Sequence, residues 1–273
     1  MINSSSKAPS SSGTKGDTLF VGSLEKGFRV LGAFDDDHPL LGITEIALRT
    51  GLDKSAAQRF SNTLHHLGLL EKDATTRRYR PARRLMEFAH TYLRHSNIAA
   101  TAMPRLIEAG NVYQTTVSLA EREDQDIIYT IRIPHQKAHY VATVPGRRRP
   151  LYCTSSGLSI LSQLKDDEVA DIIRNSEMVK FRPNTLATSE DVLRAVERTR
   201  KQGFAITTGQ ILSREIAISA PIINHQGYPL GAVVFQVYKP MWSMTGARKK
   251  LAPLVVETAD AISGALLTSD VQA

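Results

Sequence analysis

Basic side chains concentrate between residues 54 and 84, and their chemistry is that of phosphate binding. This stretch holds eight basic and two acidic side chains, so it accounts for +6 of a chain whose net charge is +7. The basic residues are Lys54, Arg59, Lys72, Arg77, Arg78, Arg80, Arg83 and Arg84. Each Lys or Arg that meets a phosphate releases counterions, so the stretch could bind a polyanion with salt-sensitive affinity. A solvated basic face is the other interpretation of the charge alone.

Two side chains at the start of this stretch, Gln58 and Arg59, are of the types that read base edges. Arginine binds guanine O6 and N7, and glutamine binds adenine N6 and N7, through paired hydrogen bonds. The surrounding residues have helical spacing, and the predicted buried side carries Ala57, Phe60, Leu64 and Leu67. The opposite side carries Ser55, Gln58, Arg59 and Asn62.

The elements around this helix have the order of a winged helix-turn-helix. The patterns predict a helix at 23–34, a helix at 44–50, a tight turn at 51–53, a helix at 54–67 and strands at 69–72 and 78–80. Gly51 stops the second helix and opens the short turn that is typical of this motif. A polar, tip-like segment separates the two strands, as the wing of the motif requires.

The rest of the chain predicts an α+β fold with a mostly antiparallel sheet. Alternating apolar residues predict strands at 116–120, 126–133, 139–144, 205–208, 215–223 and 230–238. Helical spacing predicts helices at 156–164, 167–174, 189–202 and 247–267. We therefore divide the chain into a disordered Ser-rich tail at 1–18, a winged helix-turn-helix domain at 19–82, connector helices at 83–112 and an α+β domain at 113–268.

Composition and motifs exclude several classes of protein. The single cysteine, Cys153, rules out a disulfide framework and a Cys-rich zinc module, and small-residue packing is its expected role. The motifs H-E-x-x-H, G-x-S-x-G, G-x-x-x-x-G-K-[ST] and G-x-G-x-x-G do not occur, so we expect no metal, no cofactor and no catalytic residue. No apolar run has the roughly 18 residues of a membrane helix, and the Ser-rich start is no secretory signal. We expect a cytoplasmic protein without a membrane partner.

The order and spacing of short motifs over residues 19–268 resemble the IclR-type bacterial transcription regulators. The first domain carries these motifs at 23–27, 51–55, 59–60 and 67–69. The second domain carries them at Pro150–Gly157, Gly203–Ala205 and Ala217–Ile222. Within the family, the opening segment Phe20–Gly27 looks most like the regulators of aromatic-acid catabolism, in the protocatechuate and 4-hydroxybenzoate pathways.

The resemblance implies a winged helix-turn-helix followed by a GAF-like α/β effector-binding domain. It also implies assembly as dimers or dimers of dimers, and binding to double-stranded operator DNA. A small carboxylate metabolite would then control a catabolic operon through this protein. An activator of this family would in addition contact RNA polymerase, whereas a repressor would not need to.

In this motif the third helix enters the major groove and its first turns meet the bases. We therefore expect Gln58 and Arg59 to contact base edges or the DNA backbone. Lys54 and Ser55 lie at the start of the same helix, where its N–H groups favour phosphate. These four residues are the predicted centre of the DNA interface.

Residues outside the third helix extend the predicted interface. Arg77 and Arg78 at the hairpin tip would follow the backbone or reach into the minor groove. Thr44 has two interpretations, since it could cap the second helix and help to hold a phosphate there, or serve as a cap alone. Arg83 and Arg84 could contact the flanking backbone or simply begin the connector helix.

Eight residues are expected to line the effector pocket by the same resemblance. They are Tyr152, Thr154, Ser155 and Gly157 around a helix start, Gln210, and Ile218, Ser219 and Gln236 on late strands that face the pocket. The helix start would favour a carboxylate through its free N–H groups. The chain has Thr207–Gln210 where the family often has an acidic pair, and this loss of negative charge would ease anion binding. Arg147–Arg149 could offset a carboxylate at the pocket mouth or form an exposed basic loop.

Two other functions fit parts of the sequence. A GAF-like small-molecule carrier or enzyme with an accessory basic domain would tolerate the loss of Gln58, Arg59 and Arg78 without a change in DNA affinity. An architectural DNA-binding protein would respond to no effector, and the size of the second domain disfavours this function. Selective DNA binding and its response to a metabolite therefore discriminate between the three.

Overall fold

The computed structural model describes residues 19–135 and 144–269. The tail predicted at 1–18 and most of the strand predicted at 139–144 lie outside these residues. The chain forms two compact units that divide between Tyr92 and Leu93. The N-terminal unit has one apolar core, and the C-terminal unit has one on each face of its sheet.

The N-terminal unit is the predicted winged helix-turn-helix. Its elements are α1 Gly22–Leu31, α2 Ile43–Thr50, α3 Lys54–His66, β1 Leu70–Lys72, β2 Tyr79–Pro81 and most of α4 Leu85–His95. Val30, Ile46, Ala57 and Leu64 from the first three helices are buried around Tyr79 of the hairpin. These residues form the inward side of the three helices, whereas Leu24 and Phe28 on α1 are more than half exposed.

The turn between α2 and α3 forms where the sequence predicted it. Gly51 ends α2 with a left-handed φ of +67°, and Asp53 caps α3 by accepting a hydrogen bond from Ala56 N at 2.8 Å. The start of α2 differs from the prediction, because Gly42 is the N-cap and Thr44 lies inside the first turn. Thr44 is therefore not the cap of this helix. The helix begins earlier than predicted because the extended chain ends at a bridge formed by Leu41.

The C-terminal unit is an antiparallel sheet with helices on both faces. Its elements are α5 Asn97–Tyr113, β3 Thr116–Glu123, β4 Asp126–Ile133, β5 Arg148–Pro150, α6 Ser155–Leu161, α7 Asp166–Asn175, α8 Ser189–Gln202, β6 Ala205–Thr208, β7 Glu215–Ile223, β8 Pro229–Tyr238 and α9 Met244–Ser269. The strand order within the described residues is β5-β4-β3-β8-β7-β6, and neighbouring strands run antiparallel. This is the α+β architecture that the alternating patterns predict.

Alternation along the strands separates two apolar cores. On one face, Ile216, Ile218 and Phe235 pack with residues of α5 and α9. On the other face, Ala217 packs with residues of α6, α7 and α8, and Ser219 contacts α6. Ile218 and Ser219 thus point to opposite faces, so the prediction that both face one pocket is wrong. The physical reason is the two-residue period of a strand, which turns adjacent side chains to opposite sides.

The last helix, α9, is long and apolar enough over Met244–Thr268 to cross a membrane, by length and composition alone. Its apolar side chains recur every three or four residues and are buried against the sheet. They include Ala247, Leu251, Val255, Ala259 and Ile262. Burial in the core is therefore enough to explain why α9 is so apolar.

Candidate functional site

The polar face of α3 is exposed as predicted. The exposed residues include Lys54, Ser55, Gln58 and Arg59. Among the described residues, none of these four side chains makes a hydrogen bond or an ion pair. The opposite side of α3 buries Ala57, but Leu67 is half exposed because it is the C-cap of the helix. A ligand can therefore approach this face without breaking a contact within the protein.

The tip of the β1–β2 hairpin exposes Arg77. Asp73 shapes the tip, since its carboxylate accepts hydrogen bonds from Thr75 N at 3.1 Å and from Thr76 N at 2.6 Å. Arg77 follows with a left-handed φ of +61°, a conformation that few residues other than glycine adopt. Within the described part of the chain, its guanidinium has no hydrogen-bonding partner.

Arg78, the neighbour of Arg77, is engaged by an acidic side chain. Its Nη2 group donates to both carboxylate oxygens of Glu45, with 2.6 Å to Oε1. The hydrogen bond from Gly42 N and the charge of Arg78 hold the pKa of Glu45 below its ordinary range. Thr44, the residue before Glu45, is exposed. Of the seven residues predicted to bind DNA, Arg78 is thus the one whose side chain forms an ion pair within the described part of the protein.

The segment that leads into α6 is buried, and its polar groups are used within the protein. Tyr152 Oη donates to Val179 O and accepts from Val179 N, both at 2.8 Å. Thr154 caps α6 by accepting from Gly157 N at 3.1 Å, and donates to Pro150 O at 2.9 Å. These contacts position the segment, so Tyr152 and Thr154 have a structural use that requires no ligand.

Gly157 and Gln210 also serve the local structure. A Cβ atom at Gly157 would stand 2.1 Å from Leu151 O, so the close approach of α6 to the preceding segment requires glycine. The Gln210 carboxamide accepts from Leu186 N at 2.9 Å and donates to Asn184 O at 2.8 Å. Both residues therefore hold backbone segments together.

A hydrogen-bonded cluster of polar side chains lies on the α6 side of the sheet. It joins four strands and consists of Ser118, Arg132, Glu215 and Gln236, here called the polar cluster. Gln236 Oε1 accepts from Ser118 Oγ at 3.2 Å and from Arg132 Nη1 at 2.5 Å. Gln236 Nε2 donates to Glu215 Oε1 at 3.3 Å. Charged side chains are costly on a sheet face that is otherwise apolar, so this cluster is the strongest candidate for a ligand site.

The electrostatics of the polar cluster combine a buried acid with several guanidinium groups. Burial raises the pKa of Glu215, although the charges of Arg132, Arg149 and Arg147 oppose the rise. Three arginines therefore act on one carboxyl group whose ionised form is disfavoured. The guanidinium groups that act on Glu215 would also attract an anionic group.

Two buried hydroxyl groups beside the polar cluster make no hydrogen bond of normal geometry with the described residues. They are Ser156 Oγ and Tyr238 Oη. Tyr238 lies directly opposite Glu215 in the β7–β8 pairing, and Ser156 follows the buried Ser155 in α6. Burial and the charge of Glu215 raise the pKa of nearby Tyr129 to about 12, so its hydroxyl stays protonated. Tyr238 Oη still lies near the Arg132 guanidinium, and Ser156 Oγ lies near the Tyr129 hydroxyl.

Of the eight residues predicted to bind an effector, Gln236 lies in the polar cluster and Ser219 lies on the same sheet face, with its Oγ 2.7 Å from Ser159 Oγ. Sequence reasoning missed Ser118, Arg132 and Glu215. The first two interrupt apolar strands at positions that alternate inward, in Val-Ser-Leu and Ile-Arg-Ile. That interruption was the available signal, because inward polar residues are rare without a partner.

Cys153 is not an activated nucleophile. Burial raises the pKa of its thiol to about 12, so the sulfur stays protonated at neutral pH. Over residues 19–135 and 144–269, no group of three or more His, Cys, Asp or Glu side chains could hold a metal ion.

Two family models match the two units. "IclR helix-turn-helix domain" matches residues 23–74, and "Bacterial transcriptional regulator IclR C-terminal" matches residues 90–264. The Pca regulon regulatory protein of Pseudomonas putida is 25% identical over 242 residues, 88% of this chain and 82% of that protein. The p-hydroxybenzoate hydroxylase transcriptional activator of Acinetobacter baylyi is 26% identical over 219 residues, 78% of this chain and 80% of that protein.

Comparison with solved structures finds the same fold. The crystal structure of an IclR transcriptional regulator from Alicyclobacillus acidocaldarius superposes with a TM-score of 0.79 at 21% identity, over 90% of this chain and 98% of that one. The winged helix-turn-helix, the antiparallel sheet and the two matched models agree. The chain therefore belongs to the IclR family of bacterial transcription regulators, DNA-binding proteins with a ligand-binding C-terminal domain.

Proposed function

We propose that this protein is a cytoplasmic, non-enzymatic regulator that binds an operator and senses a small carboxylate to control a catabolic operon. The observation that carries the effector part is the polar cluster, because it holds the Arg132 guanidinium on a buried sheet face with the hydroxyls of Ser156 and Tyr238 beside it. The family supplies the DNA-binding part.

The DNA interface is formed by α3, the hairpin and the start of α2. Gln58 and Arg59 read base edges from α3 in the major groove. Lys54 and Ser55 contact phosphates at the start of the same helix, and Thr44 does so in the first turn of α2. The exposure of these five side chains supports the assignment.

Arg77 and Arg78 extend this interface along the flanking backbone. The exposed tip around Arg77 supports the contact, since a guanidinium there meets solvent rather than protein. Together with the α3 residues they would make binding depend steeply on salt, because each phosphate contact releases counterions.

The effector is an anion that binds at the polar cluster. Arg132 pairs with its carboxylate, and the hydroxyls of Ser156 and Tyr238 contact its other polar atoms. Gln236 and Ser118 hold the Arg132 guanidinium in place. The remaining predicted residues, Tyr152, Thr154, Ser155, Gly157, Gln210 and Ser219, shape the surrounding wall.

An aromatic carboxylate is the proposed effector class. Two relatives have names that refer to the Pca regulon and to p-hydroxybenzoate hydroxylase. Tyr129 and Tyr238 lie beside the polar cluster, and aromatic side chains at this place would favour a flat ligand. A related nonaromatic carboxylate would use the same Arg132 contact but lack this packing.

Self-association through the N-terminal unit is part of the proposal. Large apolar side chains on α1 and α4 are more than half exposed, and a run of exposed apolar side chains is typical of an interaction surface. They are Leu24, Phe28, Met86, Phe88 and Tyr92. A second copy of the chain would cover them and would place two α3 helices on a two-fold operator. If the regulator activates, RNA polymerase is a further partner.

The experiment is fluorescence anisotropy of a duplex taken from the region upstream of the gene. Excess random duplex is the competitor, salt is fixed, and the titration is repeated with benzoate, 4-hydroxybenzoate, protocatechuate and the uncharged 4-hydroxybenzamide. Selective binding that shifts with one of the acids, and not with the amide, supports the whole proposal. Selective binding that ignores every compound would contradict the effector class. Turnover of a compound would instead support the carrier or enzyme alternative.

A further inference from the structure

The start of α2 and the hairpin are joined by backbone hydrogen bonds. Leu41 N donates to Tyr79 O at 2.9 Å, and Tyr79 N donates to Leu41 O at 2.7 Å. This bridge adds the residues before α2 to the edge of the hairpin. Arg78 therefore stands next to the first turn of α2, although the two are distant in sequence.

Glu45 has two partners at this junction. One carboxylate oxygen accepts from Gly42 N at 2.7 Å, which ties the side chain to the start of α2. Both oxygens also accept from Arg78 Nη2. The Arg78 and Glu45 side chains remain 39% and 49% exposed, so a group from solvent can reach the ion pair.

The carboxylate of Glu45 has the features of a DNA phosphate as a partner for arginine. It is an anion whose oxygens accept charge-assisted hydrogen bonds from the Arg78 guanidinium, as phosphate oxygens also do. An exposed ion pair of this kind is weak, so a phosphate can replace the carboxylate. Glu45 then remains beside the phosphate as an uncompensated negative charge.

Resting on the DNA-binding function, we propose that Glu45 is an internal phosphate mimic that occupies Arg78 in the absence of DNA and lowers the sequence-independent affinity of the hairpin. Arg78 and Glu45 together contribute no net charge, so the wild-type interface has one effective cation fewer than its arginines indicate. The exposed, unpaired Arg77 keeps its full charge. Glu45 thereby sets how many backbone contacts the regulator uses on any duplex.

The test is Glu45→Gln, with affinity for a random duplex measured over a series of salt concentrations. The amide oxygen of Gln can still accept from Gly42 N, so α2 keeps its cap while Arg78 is released. We expect binding to tighten about five- to tenfold at 0.1 M salt, and the slope of log K against log salt to steepen by about 0.9, the value of one added phosphate contact. Thermal unfolding of the variant checks that the fold is retained.

The matched control is Glu71→Gln. Glu71 belongs to the same hairpin and pairs with Arg80 at 2.7 Å, so its replacement removes one negative charge without touching Arg78. An equal gain for both variants would reduce the effect to net charge and overturn the proposal. So would a Glu45→Gln gain that persists in full when Arg78→Gln is added, since the proposal requires the gain to pass through Arg78.

Failure of this inference is distinguishable from failure of the proposed function. If the wild type binds its operator selectively and Glu45→Gln changes neither the affinity nor the salt slope, the phosphate-mimic proposal is wrong and the proposed regulator function stands. Wild-type protein without operator selectivity contradicts the proposed function whatever the variant does. A second variant, Glu45→Asp, keeps the negative charge on a shorter side chain. If the charge near Arg78 is what weakens binding to DNA, this variant should have the salt slope of the wild type.

Discussion

Gln236 and Glu215 lie on neighbouring strands and share a hydrogen bond of 3.3 Å from Gln236 Nε2 to Glu215 Oε1. The oxygen of the same carboxamide accepts from Arg132. A neutral side chain therefore separates the acid from the guanidinium within one network. Arg132 thus bonds to an amide oxygen rather than to a carboxylate, and its charge acts on Glu215 without a direct hydrogen bond between them.

Arg132→Gln is expected to weaken effector binding while DNA binding is retained. A hydrogen bond to a charged group is worth about 1.5–3 kcal/mol, so the effector Kd should rise roughly ten- to hundredfold. Isothermal titration with the responsive acid measures the change. Arg122→Gln is the control, since Arg122 pairs with Glu168 at 2.7 Å away from the polar cluster. Equal weakening in both variants would contradict a specific role for Arg132.

Glu215→Gln is expected to stabilise the effector-free protein at neutral pH. Burial raises the folded-state pKa of Glu215 above the ordinary 4.5, so the folded protein binds more protons than the unfolded chain in that window. The free energy of unfolding of the wild type therefore falls as pH rises from 4.5 through the raised pKa, by about 1.4 kcal/mol for each tenfold difference in proton affinity.

Urea denaturation across this pH range checks the Glu215 prediction. The Gln variant should not show the pH-dependent decrease in the free energy of unfolding. At pH values above the raised pKa, it should unfold at a higher urea concentration than the wild type. A variant that is less stable at neutral pH would contradict the prediction. It would mean that the negative charge of Glu215 balances Arg132 more than burial penalises it.

Arg59→Ala is expected to cost on the order of 1–3 kcal/mol of operator affinity and to relax specificity at one base position. The reason is that a bidentate arginine contact discriminates one base pair from the others. Competition with single-substituted operators measures the specificity. An equal loss on operator and random duplex would instead make Arg59 a phosphate contact.

Gly157→Ala is expected to destabilise the C-terminal unit by on the order of 3 kcal/mol. The added Cβ would meet Leu151 O at 2.1 Å, and a backbone atom cannot move aside as a flexible side chain would. Thermal unfolding measures the loss. Gly264→Ala in α9 is the control, because its Cβ meets nothing within 4 Å, and a gain of about 0.5–1 kcal/mol is expected there. A wild-type melting temperature for Gly157→Ala would contradict the predicted overlap.

Local patterns were sufficient for the winged helix-turn-helix. The apolar stripes, the turn at Gly51 and the exposed face with Gln58 and Arg59 all follow from residues within a few turns of one another. Helix periodicity and glycine conformation act over such short distances, so they can be predicted from the sequence. The same holds for the long strands β3, β4, β7 and β8, whereas the short strand β5 formed where the sequence indicated a loop around Arg147–Arg149.

Contacts between distant residues needed the tertiary structure. Arg78 meets Glu45 only because Leu41 pairs with Tyr79, and the pattern around Arg78 contains no trace of that bridge. The polar cluster joins Ser118 to Gln236 across the β3–β8 pairing, which is a choice of partners that strand patterns leave open.

The two-residue period of a strand puts adjacent residues on opposite faces, but which helices cover each face was decided by packing. Ile218 and Ser219 were expected together, yet one lies under α9 and the other under α6. The sequence by itself determined most of the elements, the family and the exposed polar face of α3, because local interactions encode them. The side chains of the polar cluster depended on strand order and on the helices that cover each face, and those are set by the burial of apolar surface over the whole unit.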